Sequence, residues 1–174
     1  MKPLIDYIRS LPDFPKPGII FRDITPLIEN AESFAKTIEE LTKAVQSFGK
    51  IDKIAAPEAR GFIFGAPLSV ALNAGLIPVR KPGKLPYKTV SVSYELEYGT
   101  DSLEIHEDSI KPGDRVLILD DLLATGGTIN ACRQLIEQQG GIVVGFAFVI
   151  ELVDLKGRQK LGENVKSLIT FEGE

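Results

Sequence analysis

Val116-Leu117-Ile118-Leu119-Asp120-Asp121-Leu122-Leu123-Ala124-Thr125-Gly126-Gly127-Thr128 decides the fold of this chain. The run from Val116 to Leu119 is unbroken and apolar, which is how a strand buried on both faces reads. Asp120 and Asp121 follow where that strand should end. A turn of small residues with two adjacent glycines comes next. Beyond it Ile129, Cys132, Leu135 and Ile136 share one face at helical spacing, and Gly140-Gly141 supplies a stop. The stretch therefore predicts strand, glycine loop and helix. In an open parallel sheet, ligands sit outside the carboxyl ends of the strands. A helix N-terminus there offers free N–H groups and a partial positive charge, which suits a phosphate. Gly126 and Gly127 let the backbone come close, and the Thr125 and Thr128 hydroxyls can donate.

The residues beside the loop narrow the ligand. A Walker loop needs a Lys after its glycines, and a dinucleotide fingerprint needs G-x-G-x-x-G. Neither is present. Instead two acids precede the cradle, and an anion site gains from acids only if they bind another part of the same ligand. Vicinal ribose hydroxyls meet that requirement. The inferred ligand is a ribose 5-phosphate unit, lying on Asp120, Asp121 and the loop Ala124–Thr128. The plainer reading is a strand, turn and helix with solvated aspartates at the turn.

A length of 174 residues suits a single domain, 1–174, with a sizeable core. The formal net charge of −4 argues against general binding to nucleic acid or to a membrane surface. The one cysteine, Cys132, cannot form an intrachain disulfide, which fits a reducing, cytoplasmic setting. Asp6 and Arg9 interrupt the start before a signal-like apolar region forms. The longest apolar run, Ile142 to Ile150, is far short of the ~20 residues that span a bilayer.

Elsewhere the chain alternates strand and helix signals. Leu4, Ile5 and Ile8 suggest a short N-terminal helix, ended by the prolines at 12, 15 and 17. Ile19-Ile20-Phe21-Arg22-Asp23 reads, on composition, as an extended arm. Asn30 is a plausible N-cap for a helix whose apolar face is Phe34, Ile38, Leu41, Val45 and Phe48. Ile51 to Ala56 reads as a strand running into Pro57-Glu58-Ala59-Arg60-Gly61, then a helix from about Phe62 to Asn73. Ile77 to Arg80 is the next strand. It opens into Lys81-Pro82-Gly83-Lys84-Leu85-Pro86-Tyr87-Lys88, a cationic segment in an acidic chain, which favours a polyanion clamp over a merely solvated loop. Val90, Val92 and Tyr94, with Leu103 and Ile105, suggest a hairpin. Ile142 to Ile150 is another buried strand, expected to share a core with Leu117 and Leu119 through Val144 and Val149. A short helix within 152–161 and an edge strand, Val165 to Phe171, complete the pattern. The predicted fold is α/β: a doubly wound, mostly parallel sheet with helices on both faces, hooded by residues 1–30.

These segments, in this order, resemble the type I phosphoribosyltransferases. Leu122-Leu123-Ala124-Thr125-Gly126-Gly127-Thr128 resembles their phosphoribosylpyrophosphate-binding motif, in wording similar to the adenine phosphoribosyltransferases. Pro17-Gly18-Ile19-Ile20-Phe21-Arg22-Asp23-Ile24-Thr25-Pro26 is similar to the adenine-binding segment of that family. The resemblance implies that Phe21 stacks on the purine, that backbone groups at Ile20 read its amino-bearing edge, and that Arg22 belongs to the base site. It places Glu58, Ala59 and Arg60 in the pyrophosphate loop, with a cis peptide expected at Glu58–Ala59, and adds Arg80, Lys81 and Lys84. Pro57 departs from the family pattern and removes one backbone donor. Leu96-Glu97-Tyr98-Gly99 matches the mobile catalytic loop, which makes Glu97 the general acid/base and Tyr98 its neighbour in closing the site. By residue type alone, Glu97 is an exposed hairpin carboxylate.

The resemblance thus implies a purine-salvage transferase converting adenine and phosphoribosylpyrophosphate to AMP and pyrophosphate. Mg²⁺ would ride on substrate oxygens and waters, with no direct protein ligand, and the enzyme would be a homodimer. Competing readings are a transferase for xanthine or orotate, a non-catalytic sensor of phosphoribosylpyrophosphate, and a generic mononucleotide module. A sensor would commonly carry a nucleic-acid-binding element, and no such signal is apparent. A generic module would not need the Lys81–Lys88 segment or the Glu97 hairpin.

Overall fold

The computed structural model describes residues 2–96 and 99–173. A 3-10 turn over Leu4–Tyr7 replaces the expected N-terminal helix: Ile8 is already extended (φ −96°, ψ 119°) and feeds β1 (Arg9–Pro12). β1 pairs antiparallel with β2 (Ile20–Asp23), Leu11 facing Phe21. This two-stranded hood leads through α1 (Thr25–Glu29) to α2 (Ala31–Val45). Asn30 caps α2, its Oδ1 accepting from the Ser33 N–H at 2.9 Å. The innermost face of α2 carries Ser33 and Thr37 beside Leu41 and Val45, while Phe34 and Ile38 are only partly buried. The two hydroxyls are accommodated because each bonds a nearby carbonyl: Ser33 Oγ to Leu27 O at 2.8 Å, Thr37 Oγ1 to Ser33 O at 2.8 Å.

The central sheet is built from β3 (Lys53–Pro57), β4 (Gly75–Val79), β7 (Arg115–Leu123), β8 (Ile142–Leu152) and β9 (Val165–Phe171), in the order β4-β3-β7-β8-β9. All four pairings are parallel. β7 is central because its side chains are apolar on both faces. Leu117 and Leu119 enter one core with Leu41 and Val45 of α2, with Phe64 and Leu68 of α3 (Arg60–Ala71), and with Val144 and Val149 of β8. Val116 and Ile118 enter the other with Ile129, Cys132, Leu135 and Ile136 of α4 (Gly127–Gln138). Each such side chain contributes ~1.5–3 kcal/mol by leaving water. The sheet is thus doubly wound, with helices on both faces.

Between β4 and β7 the chain makes an antiparallel hairpin, β5 (Thr89–Glu95) and β6 (Thr100–His106). Its Val92, Leu103 and Ile105 are buried in the same core as α4. An isolated bridge, Arg80 with Glu104, joins it to the end of β4. After β8 the chain closes with a short helix, α5 (Gly157–Leu161), and β9. No described helix is long and apolar enough to cross a membrane.

The winding direction reverses between β3 and β7. The chain leaves β3 towards β4 on one side, and β8 and β9 follow β7 on the other. The loops after β3 and β7 therefore open onto the same crevice, where an open α/β sheet binds its ligand.

Candidate active site

β7 delivers Asp120 and Asp121 to the carboxyl edge, and Ala124–Thr128 curves from there into α4. Gly126 is left-handed (φ 80°) and serves as the N-cap of α4, a conformation in which a Cβ is strained. Asp120 and residues 122–129 line a cavity of about 100 Å³. A Cβ on Gly127 would meet only Thr125 Oγ1, at 4.0 Å. Space therefore remains directly at the helix N-terminus, where unbonded N–H groups gather.

The loop rests on α5, a support that sequence reasoning missed. A Cβ on Gly157 would lie 2.2 Å from Ala124 O, and one on Gly126 would lie 3.0 Å from Gly157 O. The backbones of the two segments touch with no side chain between them. α5 is itself held by Arg158, which grips buried Glu151 through Nε (3.0 Å) and Nη2 and also donates to Val165 O (2.8 Å). The Leu155-Lys156-Gly157-Arg158 run carried this signal in its glycine, which stands in a short helix where nothing local requires one.

The two aspartates differ in environment. Asp121 N–H donates to Asp120 Oδ1 at 2.8 Å. Burial, and then the neighbouring Asp121 charge, push Asp120 well above the usual carboxylate range. Burial also raises Asp121, against the opposing pull of the Arg60 guanidinium. Arg60 Nε stands 2.9 Å from Asp121 Oδ2, yet the oxygen accepts no directed hydrogen bond. The ion pair balances the charge of this fully enclosed oxygen. Arg60 starts α3, and the following Gly61 lets that turn approach: a Cβ there would be 3.0 Å from Asp120 Oδ1.

The cationic segment is organised by Glu58. Its Oε1 accepts from the Lys81 N–H at 2.7 Å and from Arg80 Nε at 3.2 Å. Those two donors hold Glu58 below the ordinary carboxylate range despite burial, with Lys84 adding a weaker attraction. The Glu58–Ala59 peptide is cis. Pro57 closes β3, and the Glu58 N–H resumes the sheet pairing by donating to Val79 O at 2.9 Å.

On the hood, the Phe21 ring meets Phe14 edge-on with centroids 5.2 Å apart. The Arg60 guanidinium lies 5.5 Å from the Phe21 centroid. Arg22 alternates to the other face of β2, donates to Ser10 Oγ at 2.6 Å and lies 3.9 Å over the Phe171 ring. Its side chain thus fastens the hood to β9. Ile20 sits beside Phe21 on β2, paired with Pro12. Glu97 and Tyr98 lie outside the described residues. The hairpin stems beside them overhang the phosphate loop, where Tyr94 Oη is 3.4 Å from Thr128 Oγ1.

Residues 27–171 match the family model described as the phosphoribosyl transferase domain. The adenine phosphoribosyltransferase of Psychromonas ingrahamii is 61% identical over 96% of this chain and 93% of its own. The crystal structure of the Thermoanaerobacter pseudethanolicus adenine phosphoribosyltransferase is 58% identical and superposes with a TM-score of 0.91, covering 95% of this chain and 96% of the other. That of the Saccharomyces cerevisiae enzyme, complexed with an imino-altritol bisphosphate and adenine, is 42% identical with a TM-score of 0.89, over 95% and 96% of the two chains. By sequence and by fold alike, this chain belongs to the phosphoribosyl transferase domain family and, within it, to the adenine phosphoribosyltransferases.

Proposed function

We propose that the chain transfers the 5-phosphoribosyl group of phosphoribosylpyrophosphate to adenine, releasing AMP and pyrophosphate. One observation carries this reading. Arg60 stands 2.9 Å from Asp121 and 5.5 Å from the Phe21 ring, so a single side chain spans the ribose-side acid and the aromatic base platform. The phosphate cradle opens on the same edge. Ribose hydroxyls bind the Asp120–Asp121 pair, the 5-phosphate lies against Thr125–Thr128, and the purine stacks on Phe21 beside the Ile20 backbone, while Arg22, its side chain on the far face, holds this strand to Phe171. The departing pyrophosphate faces Glu58–Arg60, Arg80, Lys81 and Lys84.

In mechanism, the C1–O bond breaks ahead of attack by purine N9, leaving cationic character on the ribose. Asp121 stabilises that charge, and the basic residues accept the negative charge of pyrophosphate. Glu97 takes the proton from the purine ring, and Tyr98 helps close the site. Mg²⁺, bound with the substrate, would neutralise part of the pyrophosphate charge. Among the described residues no three His, Cys, Asp or Glu side chains gather into a metal cage. The carboxylates bordering the crevice suit an ion carried on substrate oxygens and water. The same proposal includes a homodimer and cytoplasmic residence. Cys132 is fully buried and its thiol is pushed up by that burial, which keeps it unreactive.

The test is incubation of the protein with phosphoribosylpyrophosphate, Mg²⁺ and each nucleobase in turn, with chromatography of the products. AMP from adenine is expected; IMP, XMP, GMP or OMP at a comparable rate from another base would overturn the adenine assignment. Phe21→Ala should weaken adenine by ~1–3 kcal/mol, the usual worth of base–aromatic stacking. Its KM for phosphoribosylpyrophosphate should stay near the parent value. Ile20→Val should leave the choice of base unchanged, since its backbone does the reading.

A further inference from the structure

Three basic side chains of the crevice are each met by a carboxylate: Arg60 by Asp121, Arg80 by Glu58 and Lys81 by Asp101. The first two carboxylates come from the strand ends that build the site. The third comes from β6 of the hairpin, and neither the ribose nor the base reading uses it.

Asp101 is held by three groups of the protein. Its Oδ1 accepts from the Ser102 N–H at 2.8 Å. Its Oδ2 receives the Lys81 ammonium and lies 3.3 Å from Tyr94 Oη. Tyr94 is its cross-strand partner and also reaches Thr128 Oγ1 at 3.4 Å. Asp101 is therefore a charge held in place by the hairpin stem, between the cationic segment and the phosphate loop. Its partners leave it little spare capacity to accept from a ligand.

We propose that Asp101 is a positioning residue for the pyrophosphate end of the crevice, an internal counter-ion to Lys81 that limits how tightly pyrophosphate is held. The inference rests on the reading of Arg80, Lys81 and Lys84 as pyrophosphate ligands. Pyrophosphate is a leaving group and then a product. Cations that bind it equally in substrate and product add nothing to turnover, and they slow its release. A fixed carboxylate against one of those cations reduces this uniform attraction. Glu58 is a poorer probe of the idea, because it also holds the Lys81 N–H and Arg80 in place. Asp101 meets one cation of the segment and no backbone of the loop after β3.

The experiment is calorimetric titration of magnesium pyrophosphate into the intact protein, the Asp101→Asn and Lys81→Met variants, and the double variant. Asn preserves the shape of Asp101: its Oδ1 can still accept from Ser102 N–H, while Nδ2 takes the place of Oδ2 and can donate to Tyr94 Oη. Removing the charge should tighten pyrophosphate by roughly three- to thirtyfold, the scale of one screened charge at crevice distances. In kinetics, KM for phosphoribosylpyrophosphate should fall and product inhibition by pyrophosphate should deepen. Lys81→Met should weaken pyrophosphate, and in that background Asp101→Asn should have a smaller effect, since the pair acts together. A merely structural role would loosen binding. Unchanged or weaker binding in Asp101→Asn, alongside weakening in Lys81→Met, overturns the counter-ion role and leaves the pyrophosphate reading standing. Wild-type affinity in Lys81→Met overturns both. Asp101→Ser, which also removes the charge, must change affinity in the same direction as Asn, or the proposal fails.

Discussion

Glu97→Gln is expected to lower turnover of adenine by on the order of 10²–10⁴, the usual range for loss of a general acid–base group, with little change in either KM. The substitution keeps size and polarity but removes the carboxylate that, on the proposed mechanism, takes the purine proton, an interaction needed only in the transition state. Asp121→Asn makes the opposite forecast. Asp121 is buried at the end of β7 with Arg60 against it, and on the proposed reading it holds the ribose in substrate and product alike. Its replacement should raise KM for phosphoribosylpyrophosphate, with a smaller loss of turnover from weaker support of the ribosyl cation. Steady-state kinetics with both substrates varied separate the two. Near-normal turnover by Glu97→Gln would assign proton transfer to water or to another residue, and would reduce the hairpin to a cover.

Two glycines of the phosphate site should respond differently to a side chain. Gly127→Val places its branches in the space at the α4 N-terminus, where the protein offers a first Cβ only Thr125 Oγ1 at 4.0 Å. Stability should be nearly unchanged while phosphoribosylpyrophosphate binding collapses. Gly157→Ala puts a methyl 2.2 Å from Ala124 O, so α5 and the loop must separate. Restoring ordinary contact takes a shift of about 1 Å. That displacement should cost ~1–3 kcal/mol of stability as an overpacking. It should also lower kcat/KM for phosphoribosylpyrophosphate by about 10²-fold, the penalty for misplacing a positioning element. Denaturant unfolding and kinetics on both variants check the pair. A Gly157→Ala protein with normal kinetics would show that α5 does not seat the loop.

The fold was most legible where burial is complete. β7 and β8 lie between two cores, so apolar runs were sufficient to find them and to pair Leu117 and Leu119 with Val144 and Val149. The inner face of α2 was less legible. Hydrophobicity pointed to Phe34 and Ile38, but the buried positions also include Ser33 and Thr37, whose hydroxyls are satisfied by carbonyls that no sequence pattern displays. The N-terminal helix was read in the right place but is a single 3-10 turn, because Ile8 already feeds β1. At the site, Asp120, Asp121 and the glycine loop could be read locally because strand, loop and helix are contiguous. Gly157 and Asp101 could not. One acts on Ala124, the other on Lys81 and Thr128 by way of Tyr94, and contacts across such separations arise only when the sheet closes.

The bridge between Arg80 and Glu104 consists of two backbone hydrogen bonds, Arg80 N to Glu104 O at 2.9 Å and Glu104 N to Arg80 O at 2.7 Å. It makes the junction between hairpin and sheet a pivot rather than a seam. On either side of it, Leu103 and Ile105 are buried in the core shared with α4, so this stretch of the hairpin is tied to the unfolding of the whole core. Toward the tip, Glu95 and Thr100 are exposed and pair with each other. Stiffness therefore grades along the hairpin, from an end as durable as the sheet to one that opens at the cost of a few local bonds. Because Arg80 lies on the bridge itself, the cationic segment is joined to the hairpin through main-chain atoms, so truncating side chains leaves that link in place.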